Sequence, residues 1–488
     1  MISSLRVRAC TLSVCLVCVL LSTSSVAQAQ QPRAEESGTP SEPLPVPAQS
    51  STNRECVGCP AHHLRRALLA TAGISFFYHL GNRVRGEETA KLSLSSWGAN
   101  IKSGFEWDDD PFGVNQFGHP YQGSNYFNAG RAHGMTFWKS SALTALGAAS
   151  WELFGETNKP SMNDLINTTL GGIALGEMFH RTAWLVRDPS ATGRTRWLRE
   201  IAATVLDPVT SATRFISRDA SRVSEKPESL IPPSVGITGS AGVLWQGSNV
   251  QEIAAHGLTF ADIDLLYGDL RSGRSRTPYD AFVVHFRAGG GRAVSEARVR
   301  GRLLGEALSS KHKHQLTIAQ TYDYVSSAAY LFGAQGFEAA TVSSVSPLPG
   351  VDLVFGAWGG VLALGAVDAV RPETGDSQTA VRAGVTTEAE HKDYDIGPGS
   401  SFGGTARLFV HAHPLAGVTY QGYQIVAVSP GRNHVLQRVQ IDLRLPLRGR
   451  LDLGTAAEFF YRKTYFPDGG ARRERLWQFR VYLGWASP

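Results

Sequence analysis

The sequence predicts an α+β protein in which an N-terminal helical domain is followed by an antiparallel transmembrane β-barrel of about twelve strands. From about residue 234 onward, apolar and polar residues alternate with a period of two in segments of about ten residues or more. Between about residues 61 and 230 the pattern is instead that of amphipathic helices. A leader and a linker precede both parts.

The composition excludes several classes of protein. The chain has 488 residues, which is too long for one ordinary domain. Apolar residues make up 42%, and the mean hydropathy is −0.13, values that fit neither a polytopic helical membrane protein nor a wholly disordered chain. A net charge of +5 is too small for this length to indicate a nucleic-acid partner. We expect no nucleic-acid partner and no cofactor.

The first 29 residues have the pattern of a cleaved secretory signal peptide. Arg6 and Arg8 form a basic start, residues 11–21 form a short apolar run, and Ala27 and Ala29 provide the small residues of a cleavage site. The apolar run is shorter than the roughly 20 residues that a bilayer-spanning helix needs. The leader therefore predicts export from the cytoplasm.

Residues 30–60 are expected to form a flexible linker that carries a cysteine pair. In an exported chain, Cys56 and Cys59 most simply form a small disulfide. A haem attachment site would need histidine directly after the second cysteine, where the sequence has Pro60. A redox role or a metal site with the nearby His62 and His63 stays open as the alternative.

Four helices are expected between residues 61 and 230. Their predicted ranges are 62–83, 132–155, 161–185 and 194–205, with Ser161 as the N-cap of the third. None contains an apolar run long enough to cross a bilayer. We therefore expect the helices to lie in the periplasm, on the membrane surface or within the barrel mouth.

Polar residues on these helices form the candidate cluster. Glu177 and Arg181 are four residues apart in the favourable order for a helical ion pair. One interpretation is a structural network in which Arg181 neutralises Glu152 or Glu177. The members of the cluster are His119, Arg131, Glu152, Glu156, Asn163, Asp164, Glu177 and Arg181.

A functional interpretation of the same cluster stays open. Glu152, Glu156, Asp164 and Glu177 could bind a cation or supply acid–base chemistry, because carboxyl groups that are forced together have shifted pKa values. Their spacing identifies no metal, so no metal ligand is assigned. The acidic triplet at residues 108–110 is expected to be a solvated loop, with cation binding as its alternative.

Three observations favour a membrane barrel over a soluble sandwich. In the clearest segment, 439–448, the charged residues share one parity and the leucines share the other. Aromatic residues such as Trp477 and Trp485 lie near segment ends on the apolar parity, as in an interfacial girdle. Connections alternate in length: Pro414 and Gly449 mark tight turns, whereas longer loops are expected at 365–400, 429–434 and 463–472.

The predicted lumen carries charges of both signs. They form either an internal salt-bridge network that fills a narrow barrel or an anion-selective path. A lumen of about twelve strands can be filled largely by side chains, which favours the network. The basic members are Arg298, Arg300, Arg302, Arg407, Arg438, Arg444 and Arg480, and the acidic members are Glu306, Asp442, Asp452 and Glu458.

Residues 95–185 resemble the bacterial family catalogued as domain of unknown function 3943. The resemblance implies an envelope protein of Gram-negative type with β-rich sequence downstream, and it implies no reaction. It is carried by Phe105-Glu106-Trp107-Asp108, Asn115, His119-Pro120-Tyr121-Gln122-Gly123-Ser124, Tyr126, Arg131, Gly134, Phe137-Trp138, Ser141, Trp151-Glu152, Glu156, Pro160, Asn163-Asp164, Gly171-Gly172, Gly176-Glu177 and Arg181.

The sequence thus predicts an outer-membrane β-barrel protein with a periplasmic or barrel-plugging helical domain and a structural, binding or transport role. Its expected partners are outer-membrane lipid and the outer-membrane assembly machinery, and no small-molecule ligand is identified. One alternative is an envelope hydrolase that acts on a lipid or glycan through the carboxylates of the cluster. Another is a soluble periplasmic β-sandwich.

Overall fold

The computed structural model describes residues 63–108, 110–255, 257–270, 275–308, 314–368, 394–428 and 431–487. Helices come first along the chain and strands follow, with one short helix between the first two strands. The helices are α1 (Leu64–Arg85), α2 (Leu94–Ser103), α3 (His119–Ala132), α4 (Phe137–Phe154), α5 (Met162–Ile166), α6 (Gly172–Val186), α7 (Gly193–Leu206), α8 (Pro208–Ile216) and α9 (Val250–Ala255).

Two π-helical turns interrupt the helical domain. Val114–Gly118 leads directly into α3, and Asn167–Gly171 joins α5 to α6 without a break. Such turns bulge the helix locally and occur frequently at functional sites. None of the helices in the described ranges is both long and apolar enough to cross a membrane.

Helix α3 was not predicted from the sequence, although it is the centre of the helical domain. Most of its residues are buried, so it has no apolar stripe opposite a polar one. It crosses α6 where Gly123 faces Gly172, and a Cβ atom on Gly123 would overlap the carbonyl of Thr168. The two backbones are in direct contact there, which only glycine permits.

The strands form one closed antiparallel barrel of twelve strands, as predicted. Each strand pairs with its neighbours in sequence, and the last strand pairs with the first. The strands are β1 (Val235–Gly247), β2 (Leu258–Tyr267), β3 (Phe282–Gly289), β4 (Arg292–Ala307), β5 (His314–Ser326), β6 (Leu331–Leu348), β7 (Val351–Asp368), β8 (Tyr394–Val410), β9 (His413–Ile425), β10 (Asn433–Pro446), β11 (Leu451–Tyr465) and β12 (Ala471–Ala486).

Closure of the sheet rules out the soluble sandwich. The predicted tight turns join β8 to β9 and β10 to β11, at the end of the barrel that holds both chain termini of the sheet. Longer connections follow β7 and β9 at the other end, as predicted, but the predicted loop 463–472 was wrong in length, because β11 and β12 extend into it and are joined by residues 466–470. The pattern is not uniform, because β2 and β3 are joined by a longer connection at the first end and β3 and β4 by a tight turn at the other.

One residue predicted to face the lumen faces outward because of a β-bulge. The register between β4 and β5 shifts between Arg302 and Leu304. A bulge inserts one residue and thereby reverses the inside–outside alternation beyond it. Leu304 and Glu306 therefore face outward and are exposed, so the assignment of Glu306 to the lumen was wrong.

Ion pairs between strands on different sides of the barrel fill the lumen. Glu296 of β4 pairs with Arg438 of β10 at 2.9 Å, and Arg438 also pairs with Glu458 of β11 at 2.7 Å. This confirms the predicted salt-bridge network. Further ion pairs join Arg287 to Asp262, Glu296 and Glu458, Arg298 to Glu296 and Asp323, Arg300 to Asp323 and Glu338, Arg444 to Asp442 and Asp452, and Arg480 to Asp262 and Glu458.

The remaining predicted lumen arginines lie outside this central network. Arg302 pairs with Asp280 of the connection between β2 and β3 at 2.9 Å. Arg407 is exposed near the end of β8. Beside the ionic layer, an apolar layer of lumen side chains includes Tyr330, Phe332 and Phe460. Both layers fill space inside the barrel.

The helical domain packs against the outer wall of the barrel, so the alternative in which it plugs the lumen or lies within the barrel mouth was wrong. Asp323 faces the lumen, and its neighbours Tyr322 and Tyr324 therefore face outward. The Tyr322 hydroxyl donates to the Gln116 carbonyl oxygen at 2.9 Å, and the Tyr324 ring contacts Phe112 and Phe117. Outward residues of β2 to β8 and buried residues of the helices form one apolar core.

The rest of the outer wall exposes apolar side chains. Trp477 packs on Phe459 across β11 and β12 on the outward parity, with ring centroids 4.6 Å apart. The exposed apolar residues of the wall include Leu348, Phe355, Val361, Phe402, Val418, Ile441, Leu443, Leu445, Leu453, Phe479, Val481 and Leu483.

Candidate functional site

The acidic cluster is built on the start of α5. Ser161 caps this helix, since its hydroxyl accepts from the Asp164 backbone N–H at 3.2 Å, as the sequence predicted. The capping residue also binds a carboxylate from α4: the Ser161 backbone N–H donates to Glu152 Oε2 at 2.8 Å. Asn163 lies beside them and donates to Asp164 Oδ1 at 3.1 Å.

The segment before α3 adds acidic groups to the cluster. Asn163 Nδ2 donates to Asp108 Oδ1 at 2.8 Å, and the Asp108 backbone N–H donates to Asn163 Oδ1 at 3.0 Å. Asn115, in the first π turn, donates to Asp108 Oδ1 at 3.1 Å. The prediction of a solvated loop was wrong for Asp108 and Asp110, which are half-buried; Asp109 lies outside the described residues.

The barrel contributes one side chain to the cluster. Tyr394, an outward residue at the start of β8, donates its hydroxyl to the Asp110 carbonyl oxygen at 2.8 Å and accepts from Asn115. Tyr394 is therefore a direct polar link between the acidic cluster and the barrel wall. Sequence reasoning did not identify it, because Tyr394 fell within the predicted loop 365–400, whereas the structure begins β8 at this residue.

Asp110, His119 and Asp164 bring their donor atoms together. One donor atom from each lies within 4.8 Å of the other two. His119 Nε2 is 3.5 Å from Asp164 Oδ2, and His119 Nδ1 lies 3.3 Å from the Thr168 hydroxyl in the second π turn. Both ring nitrogens of His119 thus face polar partners inside the cluster.

Burial and hydrogen bonding move the pKa values of the cluster in opposite directions. Burial raises the pKa of the Glu152 carboxyl to about 8 and that of Glu156 to about 7. Burial also raises the pKa of Asp164 well above its usual range. Burial opposes ionisation of Asp108 too, but hydrogen bonds from Asp164, Asn163 and Asn115 lower its pKa to about 2. Burial lowers the pKa of His119 to about 4.

Glu156 lies at the edge of this cluster rather than inside it. Its Oε1 accepts a hydrogen bond from the Trp151 indole at 3.1 Å, one turn earlier in the chain. The like charges of Asp110 and Asp108 raise its pKa further. Glu152 and Glu156 therefore belong to one electrostatic environment with the aspartates.

Glu177, Arg131 and Arg181 form a separate ion triad. Arg181 Nε is 2.7 Å and Arg131 Nε is 3.0 Å from the Glu177 carboxylate, which is fully buried. Although burial opposes ionisation, the two guanidinium groups hold the pKa of Glu177 below its usual value. Arg181 also donates to the Pro278 carbonyl oxygen at 3.2 Å. The triad therefore ties the helical domain to the barrel.

The predicted cluster thus divides into two. His119, Glu152, Glu156, Asn163 and Asp164 belong to the acidic cluster. Arg131, Glu177 and Arg181 belong to the ion triad, in which Arg181 neutralises Glu177 and not Glu152. Sequence reasoning gave no role to Asn115, although the residue was part of the family resemblance, and it kept cation binding at Asp108 and Asp110 only as an alternative.

A third polar group lies inside the barrel. Its carboxylate, imidazole and hydroxyl contact one another in the order found in a catalytic triad. His434 Nε2 is 2.7 Å from Asp395 Oδ2, and His434 Nδ1 is 3.1 Å from the Thr464 hydroxyl. All three side chains are fully buried, so no substrate reaches the hydroxyl. This group links β8, β10 and β11 inside the barrel. Cys56 and Cys59, the disulfide candidates, lie outside the described residues.

The closed barrel with an apolar outer face has the architecture of bacterial outer-membrane barrel proteins. Residues 104–209 match the model of a family described as Domain of unknown function (DUF3943), which confirms the resemblance seen in the sequence. Among curated proteins, none matches the chain.

Several solved structures are similar to the chain at low scores. A loop-deletion mutant of OmpT, an outer membrane protein of Vibrio cholerae, is 8% identical over 52% of this chain and 99% of that chain, with a TM-score of 0.23. The anion-selective porin from Comamonas acidovorans is also 8% identical over 52% and 99% of the two chains, with a TM-score of 0.18. The barrel assignment rests on the observed strand pairing.

Proposed function

We propose that the protein is a non-conducting barrel of the outer membrane that holds a helical domain against its outer wall. The observation that carries this proposal is the ion-pair network across the lumen. Arg438 reaches Glu296 on the opposite side of the barrel, and Arg287 and Arg480 both pair with Glu458. Ions would have to break several buried pairs to pass, and removing one partner of a buried pair is strongly unfavourable.

The apolar outer wall supports membrane insertion. Charged residues that face mid-bilayer lipid cost about 2–4 kcal/mol each, and the exposed residues of β10 at 441, 443 and 445 are isoleucine and leucines. The predicted export signal would bring the chain to the envelope. Together they favour the outer membrane over the periplasm.

The outer face of the helical domain supports a position at the membrane boundary. Phe76 and Phe77 of α1 and Ile216 of α8 are exposed, and Trp197 stacks on the exposed Phe215 at 6.0 Å. Exposed aromatic and aliphatic side chains on helices that also carry arginines are typical of interfacial helices. Because the domain already occupies the outward side of the wall, its own outer face would meet lipid.

The burial of the acidic cluster favours a small ligand over a lipid or glycan substrate. Asn163 is fully buried, and His119, Glu152 and Asp164 are each less than a tenth exposed. A hydrolase must bring its acid and base within hydrogen-bond reach of the scissile bond. We therefore favour a binding or structural role for the helical domain.

Two measurements test this proposal. The mature protein should fractionate with the outer membrane and show heat-modifiable gel mobility. Purified protein in planar bilayers should give no stepwise conductance, whereas a general porin reconstituted in parallel should conduct. A soluble mature chain contradicts the membrane assignment, and regular ion-selective steps from the wild-type protein contradict the sealed lumen.

A further inference from the structure

The acidic cluster lacks the compensation that the protein gives its other buried carboxylates. Elsewhere in the described residues, a buried Asp or Glu has an arginine or histidine as its ion-pair partner. Glu152 has none, and Asp164 has only His119. The paired carboxylates are Glu177, Glu200, Asp207, Asp262, Glu296, Asp323, Glu338, Asp395, Asp442 and Glu458.

His119 supplies a ring nitrogen to the cluster. Its Nε2 lies 3.5 Å from Asp164 Oδ2, and its Nδ1 lies 3.3 Å from the Thr168 hydroxyl. Imidazole nitrogen and carboxylate oxygen are both common ligands of divalent transition metals. The cluster therefore brings carboxylate oxygens and one imidazole nitrogen together.

An independent observation at Asn115 also points to a ligand. Asn115 is fully buried, and its Nδ2 donates to Asp108 within the cluster. Its Oδ1 is buried without any hydrogen-bond partner. A buried carbonyl oxygen without a partner is destabilising, and a bound cation would satisfy it.

We infer that Asp110, His119 and Asp164, together with the amide oxygen of Asn115, bind one divalent transition-metal ion such as Mn²⁺ or Zn²⁺. The donor atoms of the first three already lie within 4.8 Å of one another. Metal–ligand bonds of about 2.0–2.2 Å require separations of at most about 4.4 Å, so a small side-chain rotation completes the site. One imidazole among oxygen donors favours a transition metal over Ca²⁺, which takes oxygen ligands.

The surrounding residues fit a supporting role for the same ion. The Thr168 hydroxyl contacts His119 Nδ1 and would fix the ring so that Nε2 faces the metal. Asn163 and Asn115 hydrogen-bond Asp108, which lies beside the ligands and would lower the net charge of the site. This inference is independent of the proposed sealed lumen, because the site lies outside the barrel.

Metal binding by the full mature protein in detergent tests the inference. After treatment with EDTA, the protein should bind one equivalent of Mn²⁺, and its melting temperature should rise on adding Mn²⁺ or Zn²⁺. His119→Gln and Asp164→Asn should weaken binding by about 10- to 100-fold or more.

Matched controls separate this site from others in the chain. His413→Gln, at the exposed start of β9, and a Cys56→Ser, Cys59→Ser double variant should bind like the wild type. Heat-modifiable mobility reports whether the barrel of each variant is folded, and resistance to limited proteolysis reports whether its helical domain is. The inference is overturned if the wild type binds no metal or if the His119 variant binds unchanged.

A measurement on the wild type alone covers the case in which the variants do not fold. X-ray absorption of the zinc-loaded protein should show one imidazole nitrogen with oxygen donors. A spectrum with sulfur donors would place the ion at the cysteine pair, and a spectrum without imidazole would exclude His119; either result overturns the inference.

Discussion

At the residue scale, the buried carboxylates of this protein differ in what compensates their charge. Glu177 lies between two guanidinium groups, and its pKa is lowered. Glu152 has one backbone N–H and no basic partner, and burial raises its pKa to about 8. The same residue type therefore holds a charge in an ion triad in one place and retains its proton to higher pH in another.

Glu177→Gln should destabilise the protein strongly. The change leaves Arg131 and Arg181 buried without their shared counter-ion, and breaking a buried pair in this way costs about 3–5 kcal/mol. Thermal unfolding followed by circular dichroism measures the effect. Glu156→Gln is the matched control: Glu156 has no arginine partner, and the neutral amide can still accept from Trp151, so stability should not fall. Equal melting temperatures for Glu177→Gln and the wild type would contradict the triad.

Stability should fall as the pH rises from about 6.5 to 8.5 in the presence of EDTA. The folded state holds the Glu152 proton more tightly than the unfolded state, whose pKa is 4.5, so this contribution is full below pH 4.5 and is lost through about pH 8. Glu156 acts in the same direction with a pKa of about 7. His119 acts in the opposite direction, but only below its unfolded-state pKa of 6.5.

Urea unfolding at a series of pH values measures this slope. Glu152→Gln should flatten it, because the neutral side chain has no proton to lose. Glu225→Gln, at an exposed side chain, should leave the slope unchanged. An unchanged slope in the Glu152 variant would mean that this carboxyl does not titrate in the window.

At the scale of elements, helix crossings and π turns assemble the acidic cluster. The direct contact of Gly123 with Gly172 sets the distance between α3 and α6. The π turn at Val114–Gly118 carries Asn115, and the π turn at Asn167–Gly171 carries Thr168, so each presents one cluster residue. The position of the site therefore depends on close backbone packing as well as on its charged groups.

Gly123→Ala should lower the free energy of unfolding by about 1–3 kcal/mol, since the added methyl overlaps the Thr168 carbonyl and forces the helices apart. Thermal melts compare it with Gly81→Ala on α1, where a Cβ meets nothing within 4 Å. That control should gain about 1 kcal/mol, as alanine does over glycine in an exposed helix. Equal behaviour of the two variants would refute the tight crossing.

At the scale of the whole molecule, the outward faces of β2 to β8 are covered by protein and much of the remaining wall exposes apolar side chains. The two parts of the chain share one core, in which Phe137 stacks on Tyr279 with ring centroids 5.6 Å apart. The strands of the closed barrel pair with one another, whereas the helical domain buries its apolar face on the barrel. Docking therefore decides whether the acidic cluster is held at the wall.

Gly333→Val should release the helical domain while the barrel stays intact. A Cβ atom at this outward position would overlap the Gln116 side chain, and overpacking of this kind costs about 1–3 kcal/mol. That cost corresponds to about a 5- to 150-fold larger undocked fraction. Limited proteolysis should cut the helical domain faster while heat-modifiable mobility is retained. Gly359→Val, at an outward position that faces open space, should behave like the wild type; faster cleavage of both variants would contradict the docking interface.

The alternation of apolar and polar residues was sufficient to predict the barrel strands, because the side of the sheet on which a residue lies is a local property of each strand. Asp442 and Ile441 take opposite sides for the reason visible in the sequence: one pairs with Arg444 in the lumen and the other is exposed on the wall. The prediction failed at Glu306, where the register shift after Arg302 reverses the alternation. Hydrophobic periodicity contains no signal for such a bulge.

The sequence by itself determined the closed barrel, the charged character of its lumen and the helices with a clear apolar stripe, because each depends on neighbours within a few residues. Only the tertiary structure decided that α3 is central, that the helices lie outside the barrel, and that Asp108 and Asp110 meet Asp164. Those outcomes depend on which distant surfaces fit together. A residue pattern can predict that a side chain is buried, but it does not identify the residues that pack against it. For the same reason, the sequence offered both Glu177 and Glu152 as partners of Arg181, and only the packed molecule shows that Arg181 pairs with Glu177.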